Sequence, residues 1–296
     1  MESISAAAKA LFVAQPSLSQ HVANLERELG TPLLIRGAHG ISTTPQGDKL
    51  YHSARSILRQ VDDTVSSIRC NHSAPAGTVS VGLPTSTNRR VGLELVRSVG
   101  RLFPDVMLNI VDGVTSHLTA LTDKQLLDVA VLTDVRQAAA FQSEALIEED
   151  LLFVSCTPPF GGSLADCAAQ PLVLPSYPNS VRVRLESACL ERGLATRVVV
   201  ESASAELMLD VVRSGIAATF LPWAALSLEA ERDCRLFIGV ISDFPLTRHL
   251  SLCVSRAAQT NAACMAVHDM LRAILVDQVG TGDWRNARLL PGTANR

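Results

Sequence analysis

From Thr78 onward, short apolar runs alternate with helical stripes, and that alternation leaves few folds open to the chain. Thr78–Leu83, Val106–Val111 and Val129–Leu132 read as strands, separated by a helix carrying Val91, Leu95, Val99 and Phe103 and a second over His117–Leu127. Strand–helix–strand units with short connections lay their strands side by side and parallel, with helices on the faces. Leu151–Val154 continues the set. A second set follows: Leu172–Leu174, a helix from about Asn179 to Arg192, the strand Arg197–Val200, a helix from about Ala203 to Arg213, and Ile216–Leu221. The strand Leu250–Val254 and a helix from about Ala258 to Asp277 close the domain. Two α/β lobes in one chain enclose a cleft, and ligands of such lobes sit at the carboxyl ends of strands, against helix N-termini.

The region before Thr78 has a different pattern. Pro16 suits a first helical turn and Gly30 the left-handed residue just past a helix end, so the sequence predicts a helix over 16–29. Leu18, Val22, Leu25 and Leu29 recur at spacings of four, three and four, an inward stripe that leaves Ser17, Ser19, Gln20 and Asn24 facing elsewhere. Short hydrogen-bonding side chains of that kind reach base edges and phosphates, although many solvated surface helices carry them too. The neighbours decide between these readings. An alanine-rich helical segment precedes the stripe, a short strand Leu33–Ile35 ending in Arg36 follows, and Gly37, Gly40 and Thr43-Thr44-Pro45-Gln46-Gly47 close a hairpin. Helix, turn, helix and basic hairpin is the winged helix-turn-helix layout.

Gln46–Cys70 then reads as one long helix, with Leu50, Ala54, Ile57, Val61, Thr64 and Ile68 in a heptad seam that suits a coiled-coil partner. Asn71–Gly77, with its Ser, Pro and Gly, reads as a hinge. A content of 47% hydrophobic and 19% charged residues describes a folded chain rather than a disordered one. The net charge of −3 argues against a protein that coats nucleic acid but not against a small DNA-binding head. Cys70, Cys156, Cys167, Cys189, Cys234, Cys253 and Cys264 are scattered without a C-x-x-C pair, so the expectation is reduced thiols, with no disulfide frame and no metal site. No G-x-S-x-G, H-E-x-x-H, P-loop or dinucleotide-binding glycine pattern is present. Neither catalysis nor a cofactor is expected. No apolar run approaches the roughly 20 residues of a membrane span and no secretory leader follows Met1, which predicts a cytoplasmic protein.

The stretch SISAAAKALFVAQPSLSQHVANLERELGTPLLIR…TTPQG resembles the DNA-binding module of the LysR-type transcriptional regulators, and the likeness continues through nearly the whole chain. It implies an α/β protein with an all-α winged helix-turn-helix at its N-terminus and a two-lobed effector domain like periplasmic solute-binding proteins. The implied domains are 1–47 for DNA binding, 46–70 for a dimerisation linker helix, a hinge at 71–77, an effector domain at 78–278 and a tail at 279–296. Lobe one would take about 78–157 and 255–278, and lobe two about 158–254. By the same resemblance Gln15, Pro16, Ser19 and Gln20 fall where family members contact DNA, and Arg36 where the wing reaches a phosphate. Family members usually carry arginine where this chain has Gln20, so base preference does not carry over. They also carry a further helix before the alanine-rich segment, and its loss would expose the Leu18, Val22 and Leu25 face. The implied partners are double-stranded promoter DNA, a small polar or anionic effector, and a second copy or more of the chain, as dimer or tetramer. A remnant that dimerises without binding DNA is the competing reading. A solute-binding transport component is another, but it calls for an export signal and no helix-turn-helix.

Effector candidates are the hydroxyls at strand ends that open helices: Ser86 and Thr87 after the first strand, Thr115 and Ser116 after the second. Each could instead cap its own helix, with Ser86, Thr87 and Asn88 as the cap candidates of the first. The resemblance favours a pocket role for Ser86 and Thr115. Ser202 and Phe220 fall at similar strand ends in the second lobe, and Arg89, Arg90, Arg182 and Arg184 are cations that could complete the site.

Overall fold

The computed structural model describes residues 3–37, 40–51, 53–54, 57–58, 61, 75–135, 141–158, 161–226, 233–256 and 258–293. The chain divides into two compact units, Met1–Val65 and Ser66–Arg296.

In the first unit, α1 (Ile4–Ala10) begins at Ser3, whose hydroxyl accepts from the Ala6 amide, and α2 (Gln15–Leu29) follows a four-residue turn. Pro16 lies in the first turn of α2, and Gly30 ends it at φ +66 with its amide donating to the Glu26 carbonyl, so the sequence boundaries hold to within a residue. The wing is β1 (Leu34–Gly37) paired antiparallel with β2 (Gly40–Thr43), Leu34 opposite Thr43. Glu26 ties wing to helix: its Oε1 accepts from the amides of Leu33 (2.8 Å) and Leu34 (3.1 Å). Those two amides, Leu33 foremost, hold the Glu26 carboxyl below its ordinary pKa. The expected inward stripe is open in this unit. Leu18 and Val22 are half-buried, Leu25 is 40% exposed and Leu29 51%, because α2 packs on the short α1, whose one buried residue is Ala8. Residues 45–51 are helical. Of the expected linker seam, Leu50 and Ala54 are half-buried and Ile57 and Val61 exposed; Thr64, Ile68 and most of the hinge lie outside the described residues.

The second unit is built on an eight-stranded sheet. Its first strands are β3 (Gly77–Pro84), β4 (Val106–Gly113) and β5 (Val129–Thr133), with β3 parallel to both of the others. Helix α3 (Thr85–Leu102) connects β3 to β4, and α4 (Thr115–Asp123) connects β4 to β5. The strand expected at Leu151–Val154 is the end of a 15-residue strand, β6 (Phe141–Ser155). Its first ten residues, FQSEALIEED, are too polar to read as a strand, yet they pair antiparallel with β11 (Thr247–Ser255) along that strand's whole length. Both strands run from one lobe into the other.

Lobe two holds α5 (Leu164–Ala168), β7 (Pro171–Leu174), α6 (Ser180–Glu191), β8 (Arg197–Glu201), α7 (Ala205–Arg213), β9 (Thr219–Pro222) and β10 (Phe237–Gly239). β7 and β8 pair in parallel, while β9 and β10 join β6. The chain closes with α8 (Ala262–Gly280) and β12 (Ala287–Leu289), and β12 pairs with β6, so the tail at 279–296, set apart from the effector domain in the sequence reading, contributes a strand to the main sheet. Trp284 anchors it at 1% exposure.

The largest apolar cluster spans both lobes, joining Val79, Val81, Leu95, Val129, Leu252, Val267 and Leu271 to Val173, Met208 and Leu221; Leu151, Phe153, Leu164, Leu172, Leu185 and Phe220 form a second cluster in lobe two, and Leu118, Leu127 and Leu132 belong to a third in lobe one. Six of the seven cysteines are described and no disulfide joins any of these six; burial pushes the Cys167 and Cys253 thiols up to about 12. Among the described residues no His, Cys, Asp and Glu cluster suits a metal, and no helix is long and apolar enough to cross a membrane.

Candidate functional site

The polar face of α2 is exposed along its length. Gln15, Pro16, Ser17, Gln20 and Asn24 are exposed, Ser19 is half-buried, and Arg36 is exposed on β1. The face is already ordered by side-chain pairs one turn apart: Gln15 Nε2 donates to Ser19 Oγ (2.9 Å) and Gln20 Nε2 to Asn24 Oδ1 (2.9 Å). Arg27, which the sequence reading passed over, also donates to Asn24 Oδ1. Such pairing holds the long glutamine side chains against the helix, which reduces the rotamer entropy lost when they meet a partner.

In the second unit a cavity of about 110 Å³ opens between the lobes, lined by residues of both, among them Ser86, Arg89, Thr115, Ser180, Met208 and Arg248. That volume suits a few water molecules or one small carboxylate, at about 30 Å³ per water. Three helices begin at this point: α3 at Thr85, α4 at Thr115 and α6 at Ser180. Their N-termini carry unpaired amides and the positive end of the peptide dipoles. Pro84 and Val114 occupy the cap positions of α3 and α4 without a side-chain cap, so neither Ser86 nor Thr115 is spent on capping. Asn179 caps α6 through the Val181 amide (2.9 Å).

At the floor lies Arg248, 5% exposed, on β11. Its Nε donates to Glu149 Oε1 at 2.7 Å, and its Nη2 forms an ion pair with the same oxygen at 2.6 Å. The opposite edge of the guanidinium turns toward the cavity hydroxyls, Nη2 to Ser86 Oγ at 3.2 Å and Nη1 to Ser180 Oγ at 3.4 Å. Thr133 Oγ1 continues the chain, 3.2 Å from Ser180 Oγ and 2.6 Å from Thr115 Oγ1. Ser86 and Thr115 from lobe one thus meet Ser180 from lobe two around one buried cation.

Other candidates lie elsewhere. Thr87 is fully buried on the inner face of α3, and its hydroxyl has no hydrogen-bond partner among the described residues. Ser116 is exposed one residue past the cavity. Ser202 Oγ accepts from the Ser204 amide (3.0 Å) and does not line the cavity. Phe220 is buried in the lobe-two core, edge-on to Phe153 at 5.2 Å, because its side of β9 faces inward. Of the four arginines singled out in the sequence, only Arg89 reaches the cavity. Arg90 stacks on Trp223 at 3.6 Å, Arg182 pairs with Glu186 and Glu201, and Arg184 grips Asp134 with two bonds. Arg248, Ser180 and Thr133 escaped the sequence reading. The available signal was a charged residue, Arg248, beside the apolar run Leu250–Val254.

Comparison with known proteins gives two family matches, a LysR substrate binding domain over residues 72–275 and a bacterial regulatory helix-turn-helix protein, lysR family, over residues 1–48. The nitrogen assimilation regulatory protein nac of Klebsiella aerogenes is 34% identical over 280 residues, covering 92% of this chain and 90% of its own. Among solved structures, a full-length OxyR of Pseudomonas aeruginosa superposes with a TM-score of 0.72 at 21% identity, covering 92% of this chain and 90% of that one. Full-length CbnR in complex with its target DNA does so with a TM-score of 0.64 at 19% identity, covering 90% and 92%.

Proposed function

Since the chain belongs to the LysR family of bacterial transcriptional regulators, with a DNA-binding helix-turn-helix and a substrate-binding domain, we propose that it reads promoter DNA through α2 and the wing and senses a small anion in the cleft between its lobes. Gln15, Ser17, Ser19, Gln20 and Asn24 face the groove, with Pro16 opening the helix and Arg36 set against a phosphate. The protein works in the cytoplasm as a dimer or tetramer held by the linker helix, each copy meeting one half-site, and carries out no catalysis. The relatedness to nitrogen assimilation regulatory proteins makes genes of nitrogen metabolism the first targets to examine.

The observation that carries the ligand reading is the half-used guanidinium of Arg248. Glu149 takes its back edge with short bonds, whereas among the described residues the front edge meets two serine hydroxyls, at 3.2 and 3.4 Å. A carboxylate entering the cavity replaces those long contacts with a charge-assisted pair, and three helix N-termini add donors around it. Binding moves transcription by the difference in affinity between DNA-bound arrangements.

Two experiments test this reading. Gln15→Ala and Gln20→Ala should each weaken binding to the cognate site by roughly 1–3 kcal/mol and leave binding to random duplex nearly unchanged. Equal affinity of both variants and parent for the cognate duplex would remove these residues from the reading surface. Calorimetry against a panel of small carboxylates should find a binder whose affinity falls in Ser86→Ala and Thr115→Val. A binder indifferent to both changes places the site elsewhere.

A further inference from the structure

Glu149, which holds the cleft arginine, is itself held from behind. Its second oxygen, Oε2, accepts a hydrogen bond from Trp284 Nε1 at 3.1 Å, and Glu149 and Trp284 are each 1% exposed. Three strands meet at this rung: on β6, Glu149 stands opposite Arg248 of β11 on one side and Ala287 of β12 on the other. Trp284 is fixed by its own amide, which donates to the Gln278 carbonyl at 2.7 Å, and β12 by the bonds Asp150 N–H to Asn286 O (2.8 Å) and Leu290 N–H to Leu146 O (2.9 Å). A continuous hydrogen-bonded path therefore leads from the cavity serines through Arg248 and Glu149 to the C-terminal segment, whose WRNARL stretch has no part in the function described above.

We propose that Glu149 and Trp284 are positioning residues for the cleft guanidinium, and that the C-terminal segment completes the anion site from behind. The proposal rests on the reading of the cleft as the effector site. A carboxylate left alone beside a guanidinium turns both oxygens to it in a bidentate pair. Here Trp284 draws one oxygen away, so Nε and Nη2 converge on Oε1 alone and the Nη1–Nη2 edge stays turned to the cavity. Trp284 thus limits how far Glu149 satisfies the arginine, and Glu149 limits how strongly the arginine draws an anion.

The two residues consequently act in opposite directions, which a merely structural role does not produce. Trp284→Phe keeps the ring and deletes the N–H. Glu149 then closes on Arg248, and the affinity for acetate should fall by roughly 3-fold or more, the scale of one hydrogen bond to a charge. Glu149→Gln removes the resident negative charge and puts a donating NH2 where one of the two accepting oxygens stands, facing a donor of either Arg248 or Trp284. Acetate becomes the counter-ion, and its affinity should rise by roughly 10-fold.

The test is calorimetric titration of the full chain with acetate against a chloride-matched blank, in parent, Trp284→Phe, Glu149→Gln and Arg248→Lys. It is paired with fluorine NMR of protein labelled with 5-fluorotryptophan, where the chain's two tryptophans give two lines and Trp284→Phe assigns one of them. Opposite affinity changes, together with a Trp284 line that moves saturably with the acetate dissociation constant, support the proposal. If acetate binds in a manner that depends on Arg248 while the Trp284 line stands still and Trp284→Phe binds as the parent does, the relay is wrong and the cleft reading survives. Absence of any Arg248-dependent acetate binding overturns both. Should Glu149→Gln fail to fold, Trp284→Phe and the fluorine line decide the matter by themselves.

Discussion

Arg248→Ala should destabilise the C-terminal unit by roughly 3–5 kcal/mol, the range for removing one partner of a buried ion pair. The reason is what remains behind. Glu149 is 1% exposed, and without Arg248 its carboxylate keeps the Trp284 indole as a donor but has no opposing charge within reach among the described residues. The ring of hydroxyls loses its centre as well, since Ser86 and Ser180 are joined through the guanidinium. Denaturant unfolding of the full chain, followed by circular dichroism and tryptophan fluorescence, checks this on the transition of the larger unit. Replacing both partners, Arg248→Met with Glu149→Leu, should recover most of the loss, because no uncompensated charge is then buried. A single variant within about 1 kcal/mol of the parent would mean that water reaches the pair and that its apparent burial has little energetic meaning. In either variant a response to small carboxylates should be abolished.

Gly47→Ala should disable the DNA-binding unit while leaving the effector domain intact. A Cβ at position 47 would stand 2.0 Å from the Leu33 carbonyl oxygen, far inside van der Waals contact, and its neighbour is backbone that cannot swing aside. Leu33 is pinned from several directions: its amide donates to Glu26 (2.8 Å), its carbonyl accepts from the Thr44 amide (2.9 Å), and its side chain is 6% exposed. Thr44 fastens the same corner, donating to the Pro32 carbonyl (2.8 Å) and accepting from the Gly47 amide (2.9 Å). Relief therefore requires the whole junction of α2, the wing and the following helix to shift. Overpacking of this kind costs about 1–3 kcal/mol and more where backbone must move. Binding to the cognate duplex should fall by at least about 10-fold, as 1.4 kcal/mol already implies, because α2 and the wing must meet the groove in a fixed relation. Gel-shift titration reads the DNA affinity. Carboxylate calorimetry on the same preparation should be unchanged. A variant that binds the cognate duplex like the parent would show that this corner yields without moving the reading surface.

The parts legible in the sequence were those whose causes are local. Pro16 and Gly30 mark the ends of α2 because each acts through its own backbone, the one by a fixed φ and a missing N–H, the other by tolerance of φ +66. The strands at Thr78 and Val129 are runs largely buried on both faces and the one at Val106 buries alternate residues on one face, patterns that apolar spacing alone reveals. Ser86 and Thr115 could be named because a parallel sheet with short connections brings its strand ends to one edge. Which hydroxyl would cap and which would face the cleft was beyond that logic. Thr87 stands next to half-buried Ser86 on α3, and Phe220 lies in a strand buried throughout; only the packing of α3 and β9 against their neighbours turns them inward.

The charged floor of the cleft was decided by tertiary structure alone. Arg248 meets Glu149 across 99 positions of sequence, and Trp284 meets the same carboxylate across 135. A lone arginine at the head of a strand and a glutamate inside FQSEALIEED look like solvated charges, since periodicity over a few residues carries no information about a partner so far along the chain. Burial of each is tolerable only when the other is in place, and that condition is met by the register of β6 with β11 and β12, set by the sheet as a whole. The sequence by itself determined a winged helix-turn-helix, two α/β lobes and an edge lined with hydroxyls, because short-range backbone preference and hydrophobic spacing suffice for these. The sheet's long-range pairing determined which cation stands behind those hydroxyls and what holds it there.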